Sequence, residues 1–497
     1  MNLLKFLFPM IIIDKVFSVE WFTKINRDDG PDFYHDKKII LDEFSTPFRL
    51  NCIQKCLSFD SSCQIFRYSS SKICTIFKAI DKNIFSKRKY IYLRDKKLPR
   101  IHFLNGSFLD GNNFLKMRNI SIINLSEISL RLIDAFALQN IKSTEILDLS
   151  VNNLTRLNSK TFFEMSSLLR LNISFNQISQ MDSDVFQDVS NTLRFLNLEN
   201  NLIAHLDRNI FQNLSKLAYL NLGSNLITNL DQDIFRDLIK LEKLFLYDNK
   251  LKSLEPIFNN LETLDLLEVS SNDIKTIHND TFKALKKIKR IHIYKNQLSE
   301  INSETFKGAD ELEKLLIYSN NITKIHKNFS VNIPNLKELN MMKNNFQKIE
   351  PDLFNGLSKL EILKLHECNL EEIDLNSLEN LTTLDLGYNK FKNFSQKLSS
   401  LTELILRNNP LDNLTYPLIT TQNSSLLELD ISGCKMKYID FNILRNLTHL
   451  KVLRINGNQM LLDNQTFVGF SSLTIFVDID YFDKFNGTFK SIRLRHL

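Results

Sequence analysis

Apolar residues recur at fixed spacing along most of this 497-residue chain. The segments LLRLNISFNQI (168–178), LAYLNLGSNLI (217–227) and LEKLFLYDNKL (241–251) share the pattern L-x-x-L-x-L-x-x-N-x-L. Leucines at its fourth and sixth positions alternate with other residues, which is the period of a short strand with one buried face. The pattern therefore predicts one short strand per copy, and successive strands that pair in parallel to form one continuous sheet.

The pattern recurs at steps of 20 to 25 residues in near-constant register. Its ninth position falls at Ile128, Asn152, Asn176, Asn201, Asn225, Asn249, Asn272, Asn296, Asn320, Asn344, Cys368, Asn389, Asn409, Cys434 and Asn458. A repeat of about this length identifies a solenoid, in which each copy packs against its neighbours.

The ninth-position asparagine ends each predicted strand. We expect its amide to turn inward and to satisfy backbone groups that would otherwise be buried without partners at the turn. Cys368 and Cys434 occupy the same position. A disulfide between them would have to cross two intervening repeats, whereas bonded cysteines need Cα atoms within about 7 Å. We therefore expect two free, buried thiols.

A second column of residues supports the same architecture. Phenylalanine recurs nine or ten residues after the ninth position, at Phe162, Phe186, Phe211, Phe235, Phe258, Phe282, Phe306, Phe329, Phe354 and Phe467. An aromatic column at the repeat period is typical of buried core. We expect these rings to stack beneath the convex side of the solenoid.

Through these leucine, asparagine and phenylalanine positions, the chain resembles the extracellular leucine-rich-repeat proteins over about residues 98–475. Toll-type receptor ectodomains, adhesion receptors and matrix proteoglycans are members of that group. The resemblance implies an α/β fold, a horseshoe solenoid with a parallel concave sheet, and binding of partners along that sheet.

Four of the six cysteines crowd into residues 52–74, with the spacing C-x3-C-x6-C-x10-C and no nearby histidine. A zinc site would prefer paired C-x2-C knuckles, so the spacing favours two disulfides, for which three connectivities are possible. Residues 49–78 resemble a PAN/apple domain through Cys52, Cys56, Cys63, Phe66, Tyr68 and Cys74. That resemblance implies a small α+β domain with the nested bonds Cys52–Cys74 and Cys56–Cys63. The alternative is an atypical cysteine-rich cap on the solenoid.

The predicted organisation is a signal peptide over 1–18, the PAN-like domain over 19–97, about fifteen repeats over 98–475, and a tail or atypical cap over 476–497. The apolar stretch from Phe6 to Ile13 and the small residue Ser18 indicate secretion. Sixteen Asn-x-Ser/Thr triplets agree with an extracellular location. The candidate glycosylation sites are Asn105, Asn153, Asn172, Asn213, Asn279, Asn321, Asn380, Asn446 and Asn486.

Composition and the absence of certain motifs narrow the classes of function that the sequence predicts. A content of 43% hydrophobic residues excludes a wholly disordered chain, and a net charge of +6 is too small to indicate nucleic-acid binding. We find no apolar run long enough to span a bilayer and no G-x-S-x-G, phosphate-loop or H-E-x-x-H motif. The sequence therefore predicts no catalysis, no cofactor and no metal site.

A basic run near residues 82–97 includes Lys87, Arg88, Lys89 and Arg94. Such a run is typical of a solvated strand edge. The alternative is a patch that binds sulfated glycans, as PAN domains in some proteins do. Such binding would weaken as the salt concentration rises.

The solvent-facing column of the predicted sheet provides the binding hypothesis. Side chains at the fifth and seventh positions flank the inward leucines and point outward. In the middle repeats they are large and amphipathic, as is common in protein interfaces. The candidate contacts are Phe245, Tyr247, His292, Tyr294, Leu316, Tyr318, Met342, His366 and Arg407. The alternative is that these cross-strand aromatics only stabilise the sheet.

The sequence therefore predicts a secreted or cell-surface recognition protein that binds an extracellular protein or glycan without covalent chemistry. A matrix structural protein held through the basic run is the alternative, and an intracellular scaffold is a third possibility. The repeat frame does not specify the ligand or the oligomeric state.

Overall fold

A computed structural model describes the strands at 67–68, 74–75, 90–94, 99–103 and 108–109, residue 114, and residues 120–496 except 347–348, 422–423, 464, 471, 486 and 489–491. Several sequence predictions lie outside these residues. They concern the signal peptide, Cys52, Cys56 and Cys63, the basic residues Lys87, Arg88 and Lys89, and the sequons at Asn105 and Asn486.

The chain divides into two compact units, Met1–Ile80 and Asp81–Leu497. In the first unit, the strand Arg67–Tyr68 pairs antiparallel with Cys74–Thr75. In the second, Tyr90–Arg94 pairs antiparallel with Pro99–Phe103. The PAN-like prediction for 19–97 otherwise falls on residues outside the described part.

The second unit is dominated by one parallel sheet, called the main sheet below. Its strands are Ile122–Asn124, Ile146–Asp148, Arg170–Asn172, Phe195–Asn197, Tyr219–Asn221, Lys243–Phe245, Leu266–Glu268, Arg290–His292, Lys314–Leu316, Glu338–Asn340, Ile362–Lys364, Thr383–Asp385, Glu403–Ile405, Glu428–Asp430, Val452–Arg454, Leu473–Phe476 and Ile492–Arg495. Each strand pairs with the strand of the next repeat, and equivalent positions lie side by side, as in Leu147, Leu171 and Leu196. The predicted parallel solenoid is confirmed.

The opposite side of each repeat is mostly turn. Short parallel pairs join Phe108–Leu109 with Leu132–Ile133, Arg156–Leu157 with Gln180–Met181, Ser253–Leu254 with Thr276–Ile277, Glu300–Ile301 with Lys324–Ile325, and Asn413–Leu414 with Tyr438–Ile439. The described helices are the 3-10 turns Gln187–Val189 and Phe329–Asn332 and the α-helices Phe441–Arg445 and Ile479–Phe485. The expected α/β fold is therefore wrong in its α part, because the described repeats contain few and short helices. Most of the 20-to-25-residue repeats cross this side in turns, which leaves little chain for a helix of several turns.

The segment predicted as a tail or cap, 476–497, continues the main sheet. The helix Ile479–Phe485 carries the chain across, and Ile492–Arg495 then pairs in parallel with Leu473–Phe476.

The predicted phenylalanine column is confirmed as core. Ring centroids of Phe162, Phe186, Phe211 and Phe235 are stacked 6.0, 6.5 and 6.2 Å apart, with interplanar angles of 12–15°. The rings at 258, 282, 306, 329, 354 and 467 are also buried.

The ninth-position asparagines join neighbouring repeats as expected. The Nδ2 of Asn249 donates to the carbonyl oxygens of Leu222 and Leu246 at 3.0 and 3.1 Å, and its Oδ1 accepts the N–H of Ile227 at 3.0 Å. One buried amide therefore satisfies backbone groups of two repeats.

Cys368 and Cys434 are free and buried, as predicted. Each thiol donates to the backbone of the preceding repeat, from Cys368 Sγ to Met341 O and from Cys434 Sγ to Leu406 O, at 3.2 Å in both cases. Burial raises the pKa of each thiol to about 12, so both stay protonated at neutral pH.

The eighth position has a backbone requirement that the sequence pattern did not reveal. Residues there adopt the left-handed conformation, with φ of 54° at Val151, 55° at Phe175 and 53° at Lys295. Glycine fits this region best, and a β-branched residue such as valine fits it worst.

Candidate functional site

The candidate site is the solvent-facing surface of the main sheet, formed by side chains at the third, fifth and seventh positions of the repeats. We call it the sheet face. The third and fifth positions begin and end each strand, and the seventh position follows it. Because the strands pair in register, each position forms a column across the sheet.

The first part of the sheet face carries an aromatic cluster formed by Arg170, Phe195, Tyr219 and Phe245. The guanidinium of Arg170 lies 4.7 Å from the ring centroid of Phe195. Phe195 stacks on Tyr219 at 4.3 Å, and Tyr219 contacts Phe245 at 5.1 Å. These three rings and the guanidinium pack on one another across four strands, so they stabilise the sheet.

Tyr247 is fixed inside this part of the face. Its hydroxyl donates to Glu199 Oε1 at 2.5 Å, two repeats away. The ring lies over Gly223, where an added Cβ would stand 2.5 Å from it. Burial, together with the neighbouring Glu199 carboxylate, raises the pKa of the Tyr247 hydroxyl. Tyr247 therefore has a structural role that accounts for its size and position.

The middle of the face contains a buried acid–histidine pair and two tyrosines. Glu268 is fully buried, and its Oε2 lies 2.6 Å from His292 Nδ1. Its Oε1 accepts the backbone N–H of Ser270 at 3.0 Å. The His292 ring lies 6.4 Å from the Tyr294 ring, and the rings of Tyr294 and Tyr318 are stacked 4.4 Å apart and nearly parallel.

The stacked tyrosines have apolar neighbours in the columns of the sheet face. Leu316 is buried beside it, and Met342 follows Tyr318 in the seventh-position column, half-buried like both tyrosines. The ordered rings and the thioether form a semi-exposed apolar surface in the middle of the sheet.

The later repeats carry a polar cluster formed by His366, Asp385, Gly387, Tyr388 and Arg407. Asp385 Oδ1 accepts the N–H of Gly387 at 2.9 Å and lies 3.5 Å from His366 Nδ1. The His366 ring is 4.8 Å from the Tyr388 ring, and the Arg407 guanidinium lies 5.5 Å from the same ring.

The predicted contact residues thus fall into three groups rather than one. Phe245 and Tyr247 belong to the first part, His292, Tyr294, Leu316, Tyr318 and Met342 to the middle, and His366 and Arg407 to the polar cluster. Sequence reasoning missed Arg170, Phe195 and Tyr219, because it considered only the fifth- and seventh-position columns. The third-position column would have revealed them.

The candidate glycosylation sites differ in their surroundings. Asn213, Asn279, Asn321, Asn380 and Asn446 are exposed, and Asn153 is half-buried. The amide of Asn172 is used within the sheet, since its Nδ2 donates to Asp148 Oδ1 and its Oδ1 accepts the Ser174 hydroxyl. The glycan-binding prediction for Arg94 and its basic neighbours stays a prediction.

In the described residues, no cluster of histidine, cysteine, aspartate and glutamate is suited to hold a metal ion. Nor is any helix of the described segments both long and apolar enough to cross a membrane.

Comparison with known proteins agrees with this geometry. The family model for the leucine-rich repeat matches residues 142–203, 191–251, 220–273, 260–322 and 310–370. No curated protein matches the sequence significantly.

Solved structures are similar to this chain at low sequence identity, and the first of the three below shares the fold. A leucine-rich-repeat protein of Leptospira interrogans is 19% identical, with a TM-score of 0.58, over 74% of this chain and 86% of that one. An internalin from Listeria monocytogenes is 21% identical, with a TM-score of 0.49, over 72% and 87%. The TLR13-ssRNA13 complex is 17% identical, with a TM-score of 0.37, over 78% and 90%.

Proposed function

Since this chain is a leucine-rich-repeat protein with a solenoid fold, we propose that it is a secreted or cell-surface recognition protein that binds an extracellular protein without covalent chemistry. The binding surface is the sheet face, and its centre is the stacked pair Tyr294 and Tyr318 together with Met342. Solenoids of this kind offer an extended sheet surface to their partners.

The observation that carries this proposal is the ordered packing of the two central tyrosine rings. Their rings are half-buried and already stacked at 4.4 Å. A partner therefore gains large amphipathic surfaces, and little conformational entropy is lost on binding. Tyrosine and methionine are also enriched in interfaces.

The alternative view, that face aromatics only stabilise the sheet, fits two of the predicted contact residues. Phe245 is buried, and the hydroxyl of Tyr247 is bonded to Glu199. We therefore remove Phe245 and Tyr247 from the proposed contact set.

The extracellular location rests on the apolar N-terminal stretch, the clustered cysteines and the exposed sequons. An intact mass of protein collected from the medium of animal cells, before and after glycan removal, tests it. Glycosylated protein with four oxidised cysteines is the expected result. Unglycosylated protein retained in the cytosol with six free thiols would contradict the location but not the fold.

The double variant Tyr294→Ala/Tyr318→Ala tests the surface. Extracellular proteins retained by the immobilised variant are quantified against those retained by the natural protein. We expect at least one retained protein to be lost while the far-ultraviolet circular dichroism stays unchanged.

The matched control is Tyr416→Ala/Tyr438→Ala, which removes two tyrosines that lie outside the main sheet. It should retain the same partners as the natural protein. If both double variants behave like the natural protein, the central tyrosines do not carry binding and the proposed function is wrong.

A further inference from the structure

Asparagine is followed directly by glycine at four places in the sequence, at Asn105, Asn355, Asn456 and Asn486. In such a pair the backbone nitrogen of the glycine can attack the side-chain carboxamide of the asparagine, because glycine has no side chain that obstructs the approach. Asn355 and Asn456 lie within the described residues, together with the glycines that follow them. These two pairs differ in exposure and in hydrogen bonding.

The first pair, Asn355 and Gly356, lies in a turn between two strands of the main sheet. Both residues are exposed, and a Cβ placed on Gly356 would meet no atom within 4 Å. Among the described residues, neither the Gly356 N–H nor the Asn355 carboxamide has a hydrogen-bond partner. The attacking nitrogen and the carbon that it attacks are therefore both open to water and unrestrained by other groups.

The second pair, Asn456 and Gly457, is protected. The Gly457 N–H donates to Asp478 Oδ1 at 2.8 Å. The nitrogen attacks only after it loses its proton, and the carboxylate both holds that proton and disfavours the negative charge left behind. Asn456 Oδ1 is buried and has no hydrogen-bond partner in the described part of the chain. The negative charge that develops on this oxygen during the attack would therefore lack a donor.

We propose that Asn355 is a site of spontaneous deamidation in the folded protein and that Asn456 is not. The Gly356 nitrogen gives its proton to hydroxide and forms a bond with Asn355 Cγ. The bond from Cγ to Nδ2 then breaks, Nδ2 takes up a proton, and ammonia leaves a five-membered succinimide. Water opens this ring at either carbonyl, which gives aspartate or isoaspartate at position 355. Water is the co-reactant, and no atom is oxidised or reduced.

The isoaspartate product lengthens the backbone inside a closed turn, because the main chain then passes through Cβ. The Leu357 N–H donates to the Phe354 carbonyl oxygen at 3.1 Å, and both side chains are buried. The Asn355 carbonyl oxygen accepts the Ser330 hydroxyl at 2.7 Å, which joins the turn to the preceding repeat. One more backbone carbon between these contacts disturbs them, so the aged protein should unfold at a lower urea concentration.

Peptide mapping by mass spectrometry tests the proposal on the full chain. The protein is incubated at pH 8, below its unfolding transition, and deamidation of each asparagine is followed with time. We expect Asn355 to react at least tenfold faster than Asn456 in the folded protein. In urea, where both pairs lose their folded contacts, the two rates should become similar.

Two variants assign the causes. Asp478→Ala frees the Gly457 N–H and should raise the rate at Asn456 several-fold without changing the rate at Asn355. Asn355→Gln is the control for stability, because glutamine cyclises far more slowly than asparagine. Incubation of this variant should leave position 355 unmodified and should cause a smaller fall in the urea midpoint than in the natural protein.

Equal rates at Asn355 and Asn456 in the folded protein would overturn the proposal, as would modification of Asn355 in urea alone. An equal fall of the urea midpoint in the natural protein and in Asn355→Gln would overturn the assigned effect on stability. The proposal goes beyond the proposed function, since the turn lies outside the sheet face. Because the measured quantities are the mass and the stability of the chain itself, a failure here is distinguishable from a failure of partner binding.

Discussion

At the scale of single residues, the repeat is held by buried polar groups as much as by leucines. Each ninth-position amide both donates and accepts across a repeat boundary, as Asn249 does toward Leu222 and Ile227. Cys368 and Cys434 replace only the donor half of that role, because a thiol donates through one hydrogen and accepts weakly.

Two substitutions at Asn249 separate the donor role of the amide from its acceptor role. Asn249→Ala removes both and should lower the free energy of unfolding by about 1–3 kcal/mol, since buried backbone groups lose their partners. Asn249→Cys keeps a donor and should cost less. Urea denaturation of the two variants measures the difference. Equal losses would mean that the thiol hydrogen bond contributes nothing.

Cys368 and Cys434 should not react with thiol reagents in the folded protein at pH 8. Burial raises their pKa to about 12, against about 8.5 for a free cysteine, so the reactive thiolate is scarce as well as inaccessible. Mass spectrometry after alkylation, with and without urea, checks this. Rapid labelling of both thiols without urea would contradict it.

The same pKa shift predicts how stability depends on pH. The contribution of these thiols is fully present below about pH 8.5 and is lost as pH rises toward 12, because the unfolded chain ionises first. A Cys368→Ser/Cys434→Ser variant lacks ionising thiols there and should show a shallower loss of urea stability above pH 9.

The left-handed eighth position predicts a stabilising substitution. Val151 is exposed and has a φ of 54°, which is unfavourable for a β-branched residue by about 1–2 kcal/mol. Val151→Asn should therefore raise the urea midpoint, because asparagine tolerates this conformation. The exposed Val331, which does not adopt it, provides the control variant Val331→Asn. A gain in both variants would mean that the polar side chain itself stabilises the protein, rather than the relief of backbone strain.

At the scale of elements, the phenylalanine column fills the turn side of the repeats. Phe211→Ala should lower the free energy of unfolding by about 3–5 kcal/mol, because it opens a cavity between the rings of Phe186 and Phe235. Phe175→Ala removes an exposed ring and should cost far less. Urea denaturation of both variants measures the contrast, and similar losses would contradict a buried column.

Strand positions, sheet direction, the core column and the free thiols could all be predicted from the sequence, because the repeat fixes which residues face inward. Contacts along the sheet face could not. The bond between Tyr247 and Glu199 spans two repeats and depends on the missing side chain of Gly223, which no single repeat encodes. The helix Ile479–Phe485 and the strand Ile492–Arg495 were missed because the leucine pattern fades there.

At the scale of the whole described array, the sheet face changes character along the repeats. The aromatic cluster around Tyr219 comes first, the stacked pair of Tyr294 and Tyr318 follows, and the polar cluster around Arg407 lies beyond them. Sequence columns predicted that the middle is amphipathic. They could not show that Phe245 is buried or that Tyr247 is bonded to Glu199, since both depend on contacts between repeats.

Hydroxyl-radical footprinting of the protein with and without its captured partner tests the central claim most directly. Tyrosine and methionine side chains on the sheet face are compared with Tyr438, an exposed ring outside the main sheet. The account predicts that oxidation of Tyr294, Tyr318 and Met342 falls on binding while that of Tyr438 does not change. Protection of Tyr438 with unchanged oxidation of the three face residues would place binding elsewhere and contradict the account.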